Sequence, residues 1–198
     1  MPRAGLDRAA VVDLALAVVD DGGPSGFADL TLSAVAARAG VAVPSLYKHV
    51  AGLPALRREV ALVCVDEFET TLAAVRARCT GADLLPAYAR AIRGLALRSP
   101  GRYQAVQGSS WMHDPDAAAV RATGERVVAE LSDAVAALGV PHDRRIDAVR
   151  AVRAAVHGFV VLELDGGFGM PDDVDASFDF LVAGLVGGLE RLAVSSGA

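Results

Sequence analysis

Residues 32–50 read LSAVAARAGVAVPSLYKHV. Leu32, Val35, Ala36 and Ala39 recur at i, i+3, i+4 and i+7, which predicts a short helix with one apolar stripe. Gly40 suits the left-handed cap at its end. Pro44 restarts the chain, because proline is tolerated in a helix's first turn, and the second helix expected over Val43 to Val50 buries Leu46 and Val50. Its other face carries Ser45, Lys48 and His49 with Tyr47 beside them. Donors, a cation and a flat ring build no core, so this face has to meet something else. Helix, glycine turn and polar second helix in nineteen residues form the pattern of a DNA reader.

Working outward, Thr31 precedes the first apolar residue and is the expected N-cap. Further upstream Leu6, Ala10, Leu14, Ala17 and Val18 have helical spacing before Gly22, which gives a third helix. The run AxxAGVxxPSLYKHV, with its surroundings from about Asp7 to Arg58, resembles the helix-turn-helix of the tetracycline-repressor (TetR) family of bacterial transcription regulators. In that family an LYxH segment lies on the recognition helix. The resemblance implies an all-α fold of about nine helices: an N-terminal three-helix helix-turn-helix DNA-binding domain over 1–53, and a helical ligand-binding and dimerisation domain over 54–198. Two positions depart from the family pattern. Ala42 replaces a frequent serine cap, and Leu53 replaces the usual lysine at the start of the fourth helix. DNA affinity is therefore expected to lean on Tyr47, Lys48 and Arg57 or Arg58.

The net charge of −5 and pI near 5.3 look unsuited to a nucleic-acid partner, but a local field matters more than a total. Leu30 to Arg58 contains no Asp or Glu and carries Arg38, Lys48, Arg57 and Arg58. Leu84 to His113 is also acid-free, with Arg90, Arg93, Arg98 and Arg102, and reads as a solvated helix face. No run alternates with period two for long, so no sheet is expected. No export signal is evident, and the uncharged apolar run Phe180 to Leu189 is far short of the ~20 residues of a membrane helix. A cytoplasmic address and no membrane partner follow as expectations. Cys64 and Cys79 read as idle thiols.

The rest of the chain predicts helices. Leu56, Val60, Val63, Cys64, Phe68, Leu72 and Val75 keep phase over one long helix that stops before Thr80. Asp83 caps the next, with Tyr88, Ile92, Leu95 and Ala96 on one face, ending at Ser99. Pro100 to Tyr103 (PGRY) is expected to open an irregular stretch through Gly108, Ser109 and Ser110 to Trp111. Asp114 and Pro115 start a helix through Val120, Val127, Val128, Leu131 and Val135 to Gly139. Asp143 to about Asp165 places Ile146, Val149, Val152, Val156 and Val160 in phase. Asp175 to about Leu192 carries a wide apolar band of Phe178, Leu181, Val182, Leu185, Val186 and Leu189 that asks for more than one neighbour. With Gly184 and Gly188 on it, this band is the expected face for a homodimer.

His157 to Gly169 (HGFVVLELDGGFG) with PGRY is similar to a TetR subgroup named for a Trp followed by His and Gly. Arg153 stands at the Trp position. Ligand-binding candidates are Tyr88, Tyr103, Trp111 and His157, a few polar groups in an apolar helical body. The expected effector is small and largely apolar. DNA-binding candidates are Thr31, Ser33, Val43, Pro44, Ser45, Tyr47, Lys48 and His49, with double-stranded operator DNA as partner. Lys48 and the Tyr47 hydroxyl suit phosphates, while Ser45, His49, Pro44 and Val43 suit base edges.

No catalytic constellation emerges. GSSW lacks nucleophile-elbow spacing, GGFGMP follows a helix and not a strand, and helix capping explains His113, Asp114 and Asp116 without metal. The expectation is a ligand-released repressor that is no enzyme and needs no cofactor. The alternative is a helical ligand-binding or catalytic protein with a vestigial DNA-binding unit; an activator or nucleoid-associated binder is a third reading.

Overall fold

The computed structural model describes residues 6–107, 111 and 113–195, and among these it contains nine α-helices and no strand. They are α1 (Arg8–Asp21), α2 (Leu32–Ala39), α3 (Val43–Leu46), α4 (Leu53–Arg76), α5 (Leu84–Arg98), α6 (Pro100–Gln107), α7 (Ala118–Ala137), α8 (Arg145–Leu164) and α9 (Val174–Ser195). Gly108, Ser109 and Ser110 of the expected irregular stretch lie outside the described residues. The chain divides into two compact units. The first comprises residues 1–67 and 98–123, the second 68–97 and 124–198, so α4 and α7 contribute to both.

In the first unit, α1, α2, α3 and the start of α4 close over one core. Val11, Ala15, Val19, Leu30, Val35, Leu46, Leu56 and Val60 are fully buried there. The α1 face differs from the sequence expectation. Val11, Val12, Ala15, Leu16 and Val19 are buried, whereas Leu6, Leu14 and Val18 pack only partly. An α1 sequence that is apolar nearly all round (AAVVDLALAVV) offers two competing stripes, and packing against α2 and α6 selects one. Asp7 caps α1 by accepting from the Ala10 N–H at 2.8 Å.

PGRY is not irregular. It opens α6, with Pro100 at the first helical position, where a missing N–H costs nothing. Helix α6 packs on α1 and on the short 3-10 turn Gly23–Ser25. Gly101 permits this approach: a Cβ there would lie 2.6 Å from the Val19 carbonyl oxygen and 2.8 Å from that of Gly23. Arg102 then forks onto Asp20 at 2.8 and 2.7 Å and reaches Glu67 at 3.0 Å. These long-range partners hold a segment that sequence periodicity alone leaves unassigned.

The second unit buries Leu72, Leu85, Tyr88, Ala96, Val135, Val160 and Phe178. Helix α8 packs against α9. Arg93 of α5 forks onto Glu163 at 2.7 and 2.6 Å, reaches Asp175 at 2.7 Å, and lies over the Phe178 and Phe159 rings. Three expected core residues face outward, Val63 at 38%, Val128 at 37% and Ile146 at 47% exposed. Of the α9 band expected as a dimer face, Phe178, Val182 and Leu189 are buried within the subunit, while Leu181, Leu185 and Val186 are half-buried. Cys64 is buried and Cys79 half-buried, and both are free. Burial pushes the Cys64 thiol up to about 12, so it stays protonated and unreactive.

Gly101→Ala is expected to lower stability by roughly 2–4 kcal/mol, because the clash is with backbone oxygens that cannot swing aside. Gly124→Ala, in α7 with no atom near its would-be Cβ, is expected to stabilise by about 0.5–1 kcal/mol. Paired thermal melts check both signs.

Candidate nucleic-acid interface

Thr31, in extended conformation, accepts the Ala34 N–H at 3.2 Å and so starts α2. The helix ends at Gly40 with φ 68° and ψ 31°, a left-handed position that favours glycine. There the Gly40 and Val41 N–H groups return to the carbonyls of Ala37 and Ala36. Ala42 supplies no side-chain cap to α3, as its methyl predicts, although its carbonyl accepts the Ser45 N–H at 2.9 Å.

Helix α3 is shorter than expected. Its regular part is Val43–Leu46, and Tyr47, Lys48 and His49 follow in a turn closed by the His49 and Val50 N–H groups donating to the Leu46 carbonyl at 2.9 and 3.0 Å. Leu46 is fully buried and Val50 nearly so, so the two apolar anchors predicted from sequence do hold the segment down. Around them Pro44, Tyr47 and Lys48 are exposed, and Val43, Ser45 and His49 are half-buried. Tyr47 is 59% exposed, so its ring is available at the surface and is not a core residue. Thr31 and Ser33 are exposed at the start of α2.

The cations of the acid-free stretch behave differently from their sequence reading. Arg38 pairs with Asp21. Arg57 donates to the carbonyls of Ala28 at 2.7 Å and Leu30 at 3.2 Å and lies over the Phe27 ring. Arg58 meets Asp114 at 3.0 Å and Asp116 at 3.4 Å. Lys48 has no ion pair to a described residue. Arg57 and Arg58 are therefore committed within the first unit, and the expectation that they serve as ready phosphate contacts is corrected. Their acceptors lie 27 to 58 positions away in sequence, which no local pattern reveals. A polar cleft of about 410 Å³ lies beside the segment, lined by Arg8, His49, Val50, Ala51, Ala55, Arg58, Glu59 and Asp116.

Asp114 does cap, by accepting the Asp116 N–H at 2.9 Å, and this bond, helped by Arg58, holds its carboxyl below the usual range. Proline at the next position begins a 3-10 turn, Pro115–Ala117, that leads into α7.

The four ligand candidates fall into two pairs. Tyr103 and Trp111 are buried in the first unit; Tyr88 and His157 belong to the second. Trp111 donates its ring N–H to the Ala105 carbonyl at 3.1 Å and meets Phe27 edge-on at 6.0 Å. Tyr88 is fully buried and donates its hydroxyl to Glu130 at 2.6 Å, and burial with that carboxylate pushes its pKa upward. The polar handles of Trp111 and Tyr88 are thus already used. His157 is half-buried on α8, and desolvation, with Arg153 nearby, lowers its pKa.

A helix-turn-helix with a buried anchor and an exposed polar recognition segment defines the class of DNA-binding transcription regulators. Residues 85–185 match the family model of the tetracyclin repressor-like C-terminal domain. The chain is 36% identical to an uncharacterised HTH-type transcriptional regulator of Mycobacterium tuberculosis, over 98% of this chain and 86% of that one. The chain belongs to the TetR family. Among solved structures, BioQ with its natural double-stranded DNA operator is 26% identical with a TM-score of 0.61, covering 94% of this chain and 99% of that one. A TetR variant from Acinetobacter baumannii in complex with minocycline shares the fold at 24% identity, with a TM-score of 0.66 over 96% of this chain and 99% of that one. Among the described residues no helix is long and apolar enough to cross a membrane, and no group of three His, Cys, Asp or Glu is placed to hold a metal ion.

Arg57→Ala is expected to cost roughly 1–3 kcal/mol, since two backbone carbonyls lose a charged donor. Arg57→Lys should recover little of it, because the lysine side chain has no planar head to lie over Phe27 while a nitrogen reaches the two oxygens. Urea denaturation of both variants decides this; full recovery by lysine would show that charge alone matters.

Proposed function

We propose that the protein is a homodimeric repressor that binds a palindromic operator and is released by a small, largely apolar effector. Residues 1–53 are the DNA-binding domain and 54–198 the ligand-binding and dimerisation domain, acting in the cytoplasm. The observation that carries the reading is the surface of the α3 segment: Tyr47 and Lys48 stand free over the fully buried Leu46. Such a segment enters a major groove with its polar side while its apolar side keeps it rigid. Lys48 and the Tyr47 hydroxyl take phosphates, Thr31 and Ser33 take the backbone at the start of α2, and Val43, Pro44, Ser45 and His49 face base edges. BioQ, solved with operator DNA, supports the operator reading.

Dimerisation is supported by apolar side chains left at the surface of the second unit. On α9 Phe180 is 81% exposed, Leu192 63% and Val194 78%, and on α8 Leu162 is 52% exposed. At the helical turn angle Phe180 and Val194 fall within about 40° of each other on one side of α9, an exposed apolar face suited to a second copy of the chain. The effector reading is supported by the match of residues 85–185 to a tetracyclin repressor-like C-terminal domain. A ligand shifts DNA affinity only by its preference for one of two dimer arrangements.

A gel shift on the duplex upstream of its own gene tests the regulator, with saturable binding to a palindrome as the expected result; no binding at low salt would refute it. Lys48→Ala is expected to weaken operator and random duplex alike and to flatten the salt slope by about one per subunit, whereas His49→Ala should re-rank preferred sites. Equal losses on both duplexes for both variants would defeat that division. Candidate effectors that raise the melting temperature yet leave operator affinity unchanged would sink the release step.

A further inference from the structure

The cleft beside the recognition segment has an unexpected charge balance for a surface that approaches DNA. Arg8 is paired with Glu59, and Arg58 with Asp114 and Asp116. Its lining thus carries as many carboxylates, Glu59 and Asp116, as guanidinium groups, and Asp114, outside the lining, holds Arg58 as well. The Arg58 and Asp114 side chains are largely covered, 22% and 23% exposed, and satisfy each other at 3.0 Å. Asp116 is different. Its side chain is 71% exposed and reaches Arg58 only at 3.4 Å, on a guanidinium nitrogen other than the one Asp114 holds. Its own backbone N–H caps onto Asp114, so its carboxylate is not needed for the turn. The same carboxylate lines a cleft with His49.

We propose that Asp116 limits the sequence-independent part of DNA affinity: its exposed carboxylate sets a negative charge beside the reader. This inference rests on the DNA-binding reading given above. If His49 touches a base edge, the flanking phosphates fall within about a Debye length, ~8 Å at physiological salt, of a carboxylate in the same cleft. Their repulsion acts through the backbone and carries no sequence information, so it lowers affinity for operator and random DNA by a similar factor. Asp116 is separated from the recognition segment by more than sixty residues of chain, so only the fold brings the two together.

The test is Asp116→Asn, which removes the charge and leaves both the Asp114 cap and the Arg58–Asp114 pair. Asp172→Asn, an exposed position in the second unit, makes the same change in net charge elsewhere. Affinities for the upstream duplex and for a random duplex of equal length are measured through a salt titration. The expected result is that Asp116→Asn tightens both by roughly threefold and steepens the slope of log K against log salt by up to about one per subunit, while Asp172→Asn matches the wild type. Unchanged affinity and slope in Asp116→Asn would overturn the proposal, as would an equal gain in Asp172→Asn, which would trace the effect to net charge. A tightening confined to one duplex with the slope unchanged would also overturn it. Failure of the wild type to bind the upstream duplex refutes the regulator reading itself, and is seen before any variant is compared.

Discussion

The first unit depends on how one guanidinium settles a stretch of backbone that has no regular partner. Between the 3-10 turn ending at Ser25 and the start of α2, the chain passes through the exposed Ala28 and the buried Leu30, whose carbonyls have no helical or strand partner. Arg57 supplies one nitrogen to both, and its flat face covers Phe27, which in turn meets Trp111 edge-on. A permanently charged donor with a planar head suits that double task better than a neutral one. Its Nε is buried without a partner, so the arrangement carries a cost as well as a gain. The gain is that α4 is fastened to the linker before α2, and with it the position of Leu46, the side chain under the recognition segment.

Charge illustrates why a local sequence count misleads. The span from Leu30 to Arg58 is free of acids, yet three of its four cations are neutralised or occupied in the fold. Their partners, Asp21, Asp114, Asp116 and the carbonyls of Ala28 and Leu30, lie outside the span except for Leu30 at its very start. A pairing between residues fifty-six positions apart leaves no periodic trace, because periodicity reports only which face of an element is apolar. Asp114 made the matter harder: an Asp followed by Pro is fully explained as a helix cap, which it is, and that explanation leaves its second role invisible.

Elements set by near neighbours were legible. The α2 stripe, the Thr31 cap, the Gly40 turn and the burial of Leu46 and Val50 all follow from contacts within a few residues, and the structure contains them. So do the apolar faces of α5 and most of those of α4, α7 and α8. Features set by distant contacts were not. Periodicity puts the α1 stripe out of phase because the sequence there is apolar on too many sides for it to choose. Propensity makes PGRY irregular because glycine argues against helix, whereas the value of Gly101 in the fold is the space it leaves for the Val19 and Gly23 carbonyls. Of the site candidates, exposure of Tyr47 and Lys48 was readable from the pattern. The internal bonding of Tyr88 and Trp111 was not, since both partners, Glu130 and the Ala105 carbonyl, are matters of packing.

These features bear on how such a reader has to gain its affinity. With Arg38, Arg57 and Arg58 engaged internally and Lys48 left over, residues 30–58 by themselves offer DNA little of the phosphate attraction that supplies most sequence-independent binding. Two subunits joined in one particle change the arithmetic, because the second half-site is bound intramolecularly, at an effective concentration set by geometry instead of by dilution. The exposed Phe180, Leu192 and Val194 of α9 then bear on DNA binding as well as on association. On the proposed reading, an α9 face too polar to dimerise would disable the reader without touching it. A reader with weak backbone attraction also spends less of its time on random DNA, so on the proposed reading what it keeps is carried by the side chains assigned to base edges.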